Sequence, residues 1–401
     1  MKNLIVVLFA IFFISIHVVA NQNEPENGIQ FNHSSWKEIV AQAKKENKLI
    51  FLDAYASWCG PCKWMAKNIF TNDGVAEFYN KTFINAKIDM EKGEGIELAK
   101  KYSIKNYPTL LYIDANENVL HQTCGVDYVP ESSMTFINDG KTALVPEKRL
   151  SGLRTVFEKN YANSENSFAF INALDRACAP YNNELKQYFS TQKESNLVST
   201  TNWMMISQFV NDPDSREFNY LFANQNVFAK LYTKDSVDNK IVDVFETGLH
   251  SAVRNNNGQD YFTFRKRAQS SGIANIDLLI MNSDMDYYKK KKDWSNYATS
   301  AVAYMDKYGG NEAQKLNGVA WIFYENITER KMLEHAEAWA LKAVTIEDNY
   351  AFNDTYAAVL FKLGKKTDAK NVAEKAIELA KKENTDYQST SELLEQIKLM
   401  Q

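Results

Sequence analysis

Two cysteines three positions apart, Cys59 and Cys62, carry the most specific chemistry in this sequence. They enclose Gly60 and Pro61, follow an apolar run and precede a segment with a helical pattern. A thiolate at the first turn of a helix is stabilised by free backbone N–H groups and by the helix dipole. We therefore predict a redox dithiol in which Cys59 attacks a substrate disulfide and the more buried Cys62 resolves the mixed disulfide.

The two residues between the cysteines suit this geometry. Gly60 permits a close approach, and Pro61 fits the first helical turn, where a missing N–H costs little. Two alternatives for the pair are a zinc site and a plain structural disulfide. A structural zinc site needs about four ligands, and the five histidines are scattered along the chain. We therefore expect no metal and no cofactor other than the Cys59–Cys62 disulfide itself.

The chain has two further cysteines, Cys124 and Cys178, which form no second CxxC pair. Two interpretations of Cys124 stay open, a third redox or regulatory thiol and a small buried apolar residue. Cys178 lies in a helical stretch with no partner evident from the sequence, and it is interpreted in the same way.

The elements expected around the dithiol are those of a small α/β domain. A helix begins at the Ser35-Trp36-Lys37-Glu38 capping box, and residues 49–52 form a continuous apolar run typical of a buried strand. Asp53 closes that run six residues before Cys59. Further along, the patterns predict a strand over residues 83–88, a hairpin of two strands within residues 110–122 and a closing helix over residues 129–137.

With these elements in place, residues 34–140 resemble a thioredoxin domain. The resemblance rests on four features in order, namely Trp58 before the CGPC sequence, Asp53 upstream, Tyr107-Pro108-Thr109 before a strand, and Gly125 after the next strand. It implies a thioredoxin fold with protein-disulfide oxidoreductase activity. A thioredoxin domain with a helix directly before its active-site strand is similar to secreted family members of Bacteroidetes-like bacteria, which often carry appended helical domains.

The resemblance also implies roles for individual residues. Asp53 would exchange a proton with Cys62, because burial disfavours the charged form of a carboxyl group; a strand-end aspartate satisfied by backbone N–H groups is the alternative. Pro108 would be a cis-proline facing the dithiol. The family commonly places a lysine near the buried acid, and the alignment puts Asn85 at that position.

Four other residues are expected at the substrate side of this site. By the same resemblance Tyr107, Thr109 and Gly125 would contact an extended substrate, with Tyr107 offering backbone hydrogen bonds. Trp58 would flank the dithiol, and packing in the core is its alternative interpretation.

The remainder of the chain has an all-α pattern. We expect a linker over residues 141–150, a helical domain over residues 151–310, and TPR-like helical hairpins over residues 311–401. An internal repeat with a spacing of 33 residues suggests the hairpins. In this 33-residue repeat, Ala336, Ala340 and Ala343 are matched by Ala369, Ala373 and Ala376. A helical bundle with alanine-rich faces is the alternative.

The N-terminus has the layout of a secretory signal peptide. A lysine is followed by an unbroken apolar run over residues 4–14, and small residues precede a polar segment. We predict a cleaved signal peptide over residues 1–20, a mobile linker over residues 21–33, and a periplasmic or secreted protein. The alternative is an uncleaved membrane anchor. No cysteine lies near the cleavage point, so no lipid anchor is expected.

These observations favour a periplasmic thiol-disulfide oxidoreductase that reduces or isomerises protein disulfides. The net charge of −4, without a basic block, argues against nucleic acid as the main partner. The expected partners are protein disulfide substrates and a membrane protein that donates electrons. Two alternatives remain, a client-binding helical protein whose thioredoxin domain is mainly an adaptor, and a disulfide-forming oxidase.

Overall fold

The structure is a computed structural model that describes residues 28–125, 128–129 and 131–400. The chain divides into two compact units, Met1–Gln192 and Lys193–Gln401, and each is described by itself. The predicted signal peptide and residues 21–27 of the predicted linker lie outside the described residues. Among the helices of the described ranges, none is both long enough and apolar enough to cross a membrane.

The first unit is built on a four-stranded sheet. Its strands are β1 (Ile50–Tyr55), β2 (Ile84–Asp89), β3 (Thr109–Ile113) and β4 (Val119–Cys124). Their spatial order is β2-β1-β3-β4, with β1 and β2 parallel and the other two pairs antiparallel. The predicted strands and the hairpin are therefore confirmed.

Five helices surround this sheet, α1 (Trp36–Glu46), α2 (Gly60–Asn68), α3 (Asp73–Thr82), α4 (Gly95–Lys101) and α5 (Ser132–Leu144). Both hydrogen bonds of the predicted capping box are present at the start of α1. Side chains of β1 alternate between two cores, because successive residues of a strand point to opposite faces. Phe51 packs with side chains of α2, α3 and α5, whereas Leu52 packs with side chains of α1 and α4.

The first unit is larger than the sequence predicted. Residues 28–33 are not a free linker, since Ile29 is buried and its N–H donates to Phe70 O at 2.8 Å. Asp139 and Gly140, the last two residues of the domain predicted over residues 34–140, are buried within α5, which continues to Leu144.

Three further helices also belong to the first unit, α6 (Leu150–Lys159), α7 (Ser164–Arg176) and α8 (Asn182–Ser190). Both α6 and α7 pack against β4. The side-chain amide of Gln122 donates to Ala177 O at 2.7 Å. The chain therefore divides after Gln192 rather than at the linker predicted over residues 141–150, because β4 gives these helices a surface on which to pack.

The described part of the second unit is entirely helical, as predicted. After a short 3-10 helix, Glu194–Asn196, it contains α9 (Thr200–Phe209), α10 (Arg216–Ala223), α11 (Gln225–Tyr232), α12 (Lys234–Arg254), α13 (Gly258–Gln269), α14 (Ile276–Lys291), α15 (Trp294–Tyr308), α16 (Ala313–Asn326), α17 (Arg330–Ile346), α18 (Tyr350–Lys362), α19 (Lys366–Glu383) and α20 (Gln388–Leu399). Consecutive helices from α16 to α20 pack against each other. The six alanines of the 33-residue repeat are all fully buried in α17 and α19. The assignment of these hairpins to TPR-like repeats stays a prediction.

Candidate active site

The dithiol lies where the sequence predicted, at the start of a helix. Cys59 is the N-cap residue of α2, and its Sγ accepts a hydrogen bond from the Cys62 N–H at 3.1 Å. The two sulfurs form a disulfide with the Cα atoms 5.3 Å apart. Pro61 lies in the first turn, and open space surrounds the position where a side chain on Gly60 would begin. Cys62 was predicted to be the more buried cysteine, but Cys59 and Cys62 are equally buried, at 2% and 3% exposure.

This geometry has a direct chemical consequence for the reduced form. The donor that reaches Cys59 Sγ is a backbone N–H at a helix N-terminus, where the helix dipole also favours negative charge. Such surroundings stabilise a thiolate over a thiol, and the thiolate is the nucleophile of disulfide exchange. The site can therefore support attack by Cys59.

The loop opposite the dithiol contains the predicted cis-proline. The Tyr107–Pro108 peptide bond is cis, and Tyr107 packs against the cluster formed by Ala56, Cys59 and Cys62. Thr109 is buried at the start of β3. The structure therefore brings this loop and the dithiol together, as the resemblance implied.

Gly125 follows the end of β4 and is hydrogen-bonded to the same loop. Its N–H donates to Pro108 O at 3.0 Å, and its φ angle is +73°. Residues other than glycine rarely adopt this left-handed backbone conformation, so the turn explains why position 125 is a glycine. The predicted substrate-side residues Tyr107, Thr109 and Gly125 thus lie on two backbone segments that this hydrogen bond joins.

Trp58 is on the surface of the site and not in the core. Its side chain is 67% exposed, so the core-packing interpretation is wrong. The indole Nε1 donates to Glu91 Oε2 at 2.9 Å, and the ring meets the Tyr107 ring edge-to-face with centroids 5.9 Å apart. Partial burial and the carboxylates of Glu91 and Asp89 raise the pKa of Tyr107, which keeps its phenol protonated.

Asp53 is buried on β1, at 1% exposure, and one of its oxygens is unpaired. Oδ2 forms an ion pair with Lys87 Nζ, whereas Oδ1 has no hydrogen-bond partner among the described residues. The ammonium group of Lys87 lies over the Tyr55 ring, 4.5 Å from its centroid, and over the Phe70 ring at 5.1 Å. A free carboxylate oxygen in a buried position can accept a proton.

This ion pair corrects the predicted alignment. Lys87 faces Asp53 in the parallel pairing of β1 and β2, so the lysine beside the acid is present. Asn85 pairs with Phe51 instead, and its side-chain amide donates to Asn80 Oδ1 at 3.2 Å. The assignment of Asn85 to the lysine position is therefore wrong.

Cys124 and Cys178 are paired with each other, which the sequence did not predict. They form a disulfide with the Cα atoms 5.8 Å apart, a separation within the usual range for such bonds. Neither residue is fully buried, and Cys178 is exposed. The sequence carried no signal for this pairing apart from the even number of cysteines.

Metal ligands are not gathered in this site or elsewhere in the described residues. Across those residues, no group of three or more His, Cys, Asp or Glu side chains is placed to hold a metal ion.

Three features define a thioredoxin-fold dithiol protein: the β2-β1-β3-β4 sheet, the CGPC disulfide at the start of α2, and the cis Tyr107–Pro108 bond, whose tyrosine packs against the cysteines. The sequence profile of the Thioredoxin family matches residues 28–129. Thioredoxin-1 of Caenorhabditis elegans is 32% identical over 90 residues, which are 22% of this chain and 69% of that protein. The chain belongs to the thioredoxin family.

Two further proteins are similar to part of this chain. Thioredoxin-1 of Drosophila melanogaster is 36% identical over 74 residues, 18% of this chain, and the match spans somewhat less than two thirds of that protein, 64%. The solution structure of a proposed disulphide-isomerase from Bacteroides thetaiotaomicron is 41% identical, with 29% of this chain and 94% of that chain covered and a TM-score of 0.27. These matches fall on a part of the chain, so the activity of the whole protein is treated below as a proposal.

Proposed function

We propose that the protein is an exported thiol-disulfide oxidoreductase that reduces or isomerises disulfides of other proteins. The observation that carries this proposal is the position of Cys59, whose sulfur caps α2 and accepts the Cys62 N–H at 3.1 Å. Removal of two electrons from the dithiol by a substrate returns it to the disulfide form found here.

The reaction proceeds by two exchanges at sulfur. The Cys59 thiolate attacks one sulfur of the substrate disulfide, forming a mixed disulfide and releasing the other substrate sulfur as a thiolate. The Cys62 thiol then loses its proton and attacks Cys59 Sγ. The second substrate sulfur leaves, so the substrate gains two electrons and the protein is oxidised. In isomerisation, a substrate thiolate attacks the mixed disulfide instead, and Cys59 is released in its reduced form.

We assign the proton acceptor for Cys62 to Asp53. Its Oδ1 atom is buried and has no hydrogen-bond partner within the described ranges, whereas its Oδ2 atom forms an ion pair with Lys87. A carboxylate oxygen that accepts no hydrogen bond is a group that can take up the proton when Cys62 becomes a thiolate.

The loop around Pro108 is proposed to bind the substrate chain next to its disulfide. The exposed indole of Trp58 and the half-buried ring of Tyr107 provide an apolar surface beside the cysteines. An extended peptide pairs with free backbone groups and does not depend on one side-chain sequence. This arrangement favours a range of protein substrates.

Export is inferred from the amino-terminal sequence, with its apolar run over residues 4–14. Outside the cytoplasm, reduction of the Cys59–Cys62 disulfide after each reaction needs electrons from another compartment. A membrane protein that carries dithiol electrons is therefore proposed as the reductant. The CGPC sequence resembles that of reducing thioredoxins, which favours reduction over oxidation as the direction.

The test uses two matched variants of the full chain, Cys62→Ser and Cys59→Ser. Cys62→Ser retains the nucleophile and lacks the resolving thiol, so we expect it to hold substrate proteins in mixed disulfides through Cys59. Cys59→Ser should hold none, and neither variant should reduce insulin above the rate with dithiothreitol alone. Adducts are read on non-reducing gels and mapped by mass spectrometry.

Two outcomes would redirect the proposal. Cys59 in Cys62→Ser could react with iodoacetamide and still trap no protein. That result would contradict the proposal that Cys59 attacks disulfides of other proteins, and it would favour the alternative in which the thioredoxin domain is mainly an adaptor. If the wild-type couple is far more oxidising than thioredoxin's potential of about −270 mV, approaching about −120 mV, the protein forms disulfides rather than reducing them. A glutathione titration of Cys59 and Cys62 distinguishes these directions.

A further inference from the structure

We propose that Cys124–Cys178 is a second redox-active disulfide, which an external dithiol opens in the folded protein to loosen the α7–α8 segment from β4. This role is distinct from the activity proposed for Cys59 and Cys62. It rests on the exposure of the bond, on its place in the fold and on the backbone that surrounds it.

The bond is accessible at one end. Cys178 is exposed, so an external thiolate can reach its sulfur directly. Cys178 also has a φ of +50°, a left-handed conformation that residues with a side chain rarely adopt. Disulfides that are exposed or lie in strained surroundings are the ones that thiols open readily, whereas buried structural bonds resist them.

The bond holds a helix end to the sheet together with two other contacts. Arg176 donates to Asp139 Oδ1 at 2.6 Å, and Gln122 donates to Ala177 O at 2.7 Å. The turn after α7 is therefore attached to β4 and α5 at consecutive residues. The disulfide is the one covalent link among these three contacts. When it opens, the turn keeps two polar contacts that water can replace, and α7 keeps its packing against β4.

The β4 end of the bond is next to the loop of the candidate active site. Cys124 pairs with Thr109 in the β3–β4 register, and the following residue, Gly125, donates its N–H to Pro108 O at 3.0 Å. A change in how the 176–178 turn is held therefore acts on the strand end that supports the cis-proline loop. Opening of the bond is expected to alter the substrate side of the site and not the dithiol.

The exchange follows ordinary disulfide chemistry. A thiolate of the external dithiol attacks the exposed Cys178 Sγ, which breaks the S–S bond and releases Cys124 as a thiolate. The second thiolate of the reductant attacks the mixed disulfide, closes its own disulfide and frees Cys178. Two electrons pass to the pair, and two protons are taken up as the thiols form.

The opening rate is measured on the full-chain Cys59→Ser/Cys62→Ser variant, which retains only the Cys124–Cys178 bond. Dithiothreitol is the probe, and free thiols are counted by a maleimide mass tag in native buffer and in guanidinium chloride. A small reference disulfide corrects for the solvent. We expect the native rate to lie within about 100-fold of the unfolded rate. A native rate slower than that would mean that only unfolding exposes the bond, and it would overturn the proposal.

Hydrogen–deuterium exchange tests the consequence in a matched pair of variants. In Cys124→Ser/Cys178→Ser we expect a loss of protection in α7 and α8, with α3 as an internal reference that does not change. In Cys59→Ser/Cys62→Ser protection of α7 and α8 should equal that of the wild type. Unchanged protection of α7 and α8 in Cys124→Ser/Cys178→Ser would contradict the proposal that the bond holds this segment to β4. Because neither readout involves substrate turnover, both are independent of the activity proposed above.

Discussion

Asp53 in the first unit and Asp284 in the second are both buried, and their carboxylates are held in different ways. In the second unit Asp284 is fully paired, accepting from Tyr261 OH at 2.6 Å and from Arg265 Nε and Nη2 at 2.7 and 2.8 Å. In the first unit Asp53 has an ion pair on one oxygen, and its other oxygen has no hydrogen-bond partner in the part of the chain that the structure describes. A satisfied buried charge supports a particular packing, whereas an unsatisfied one is costly unless it serves another purpose.

The contrast extends to the surroundings of the two groups. Burial and the hydrogen bond to Asp284 raise the pKa of Tyr261, so that network remains a fixed arrangement of donors and acceptors. Asp53 lies on β1, three residues before Ala56, which packs with both cysteines of the CGPC pair. We infer that the first unit retains an open proton site for chemistry and that the second uses its buried charge for structure.

The largest effect is expected from breaking the satisfied network. Asp284→Ala leaves Arg265 and the Tyr261 hydroxyl without their acceptor, and we expect a loss of about 3 kcal/mol in the free energy of unfolding. Urea unfolding of the second unit measures it. Asp286→Ala, on the same helix but exposed, is the control and should change stability by less than about 0.5 kcal/mol. Equal effects of the two changes would contradict the assigned role of Asp284.

Asp53→Asn tests the opposite half of the comparison. The amide retains the shape but cannot accept the Cys62 proton, so we expect resolution of the mixed disulfide to slow by about 100-fold. The first step, read as alkylation of Cys59, should change little. Stopped-flow kinetics with a model disulfide separates the two steps. Asp73→Asn, at an exposed position, is the control, and an unchanged resolution rate in Asp53→Asn would remove Asp53 from the mechanism.

A third prediction concerns His121, which is buried on β4 and accepts from the Leu150 N–H through Nδ1. Burial and the nearby Arg176 guanidinium lower the pKa of His121 to about 4. The unfolded chain binds a proton near pH 6.5, so the stability from the neutral imidazole is present above that pH and is lost as the pH falls toward 4.

We therefore expect the first unit to lose about 2 kcal/mol between pH 7 and pH 5 through this group. Urea unfolding at both pH values, followed by hydrogen exchange of β4, measures the loss. In His121→Gln the pH dependence should be smaller by that amount, whereas His250→Gln, on the exposed surface of the second unit, should leave it unchanged. The same slope in His121→Gln and the wild type would show that the imidazole is not buried in its neutral form.

The smallest effect is expected at the exposed edge of the active site. Trp58→Phe retains an aromatic ring but loses the indole hydrogen bond to Glu91. Because exposed hydrogen bonds contribute little, we expect the KM for a peptide disulfide to rise by about threefold with kcat unchanged. Glu91→Gln, which retains an acceptor for the indole, should lie closer to the wild type. A fall in kcat instead would mean that Trp58 positions the dithiol.

Much of the first unit could be predicted because its signals are local. The CGPC sequence at a helix start, the capping box of α1 and the Tyr107–Pro108 pair each occupy a few consecutive residues and were located correctly. Local geometry decides such features, so neighbouring residues suffice to infer them.

The errors concern contacts that only the assembled fold decides. Asn85 and Lys87 are two residues apart on β2 and share a face, so strand periodicity cannot tell which one meets Asp53. The Cys124–Cys178 pairing joins residues separated by 54 positions. Likewise, helical periodicity in residues 150–190 shows that an apolar face exists but not which core it covers.

The central claim is that the Cys59 sulfur is held as a thiolate by the start of α2. Its most direct test is the pH dependence of iodoacetamide alkylation of the fully reduced full chain, with each cysteine quantified by peptide mapping. We predict half-maximal alkylation of Cys59 at about pH 7, well below the value of about 8.5 for a free thiol. A midpoint for Cys59 at or above that of a free thiol would contradict the account.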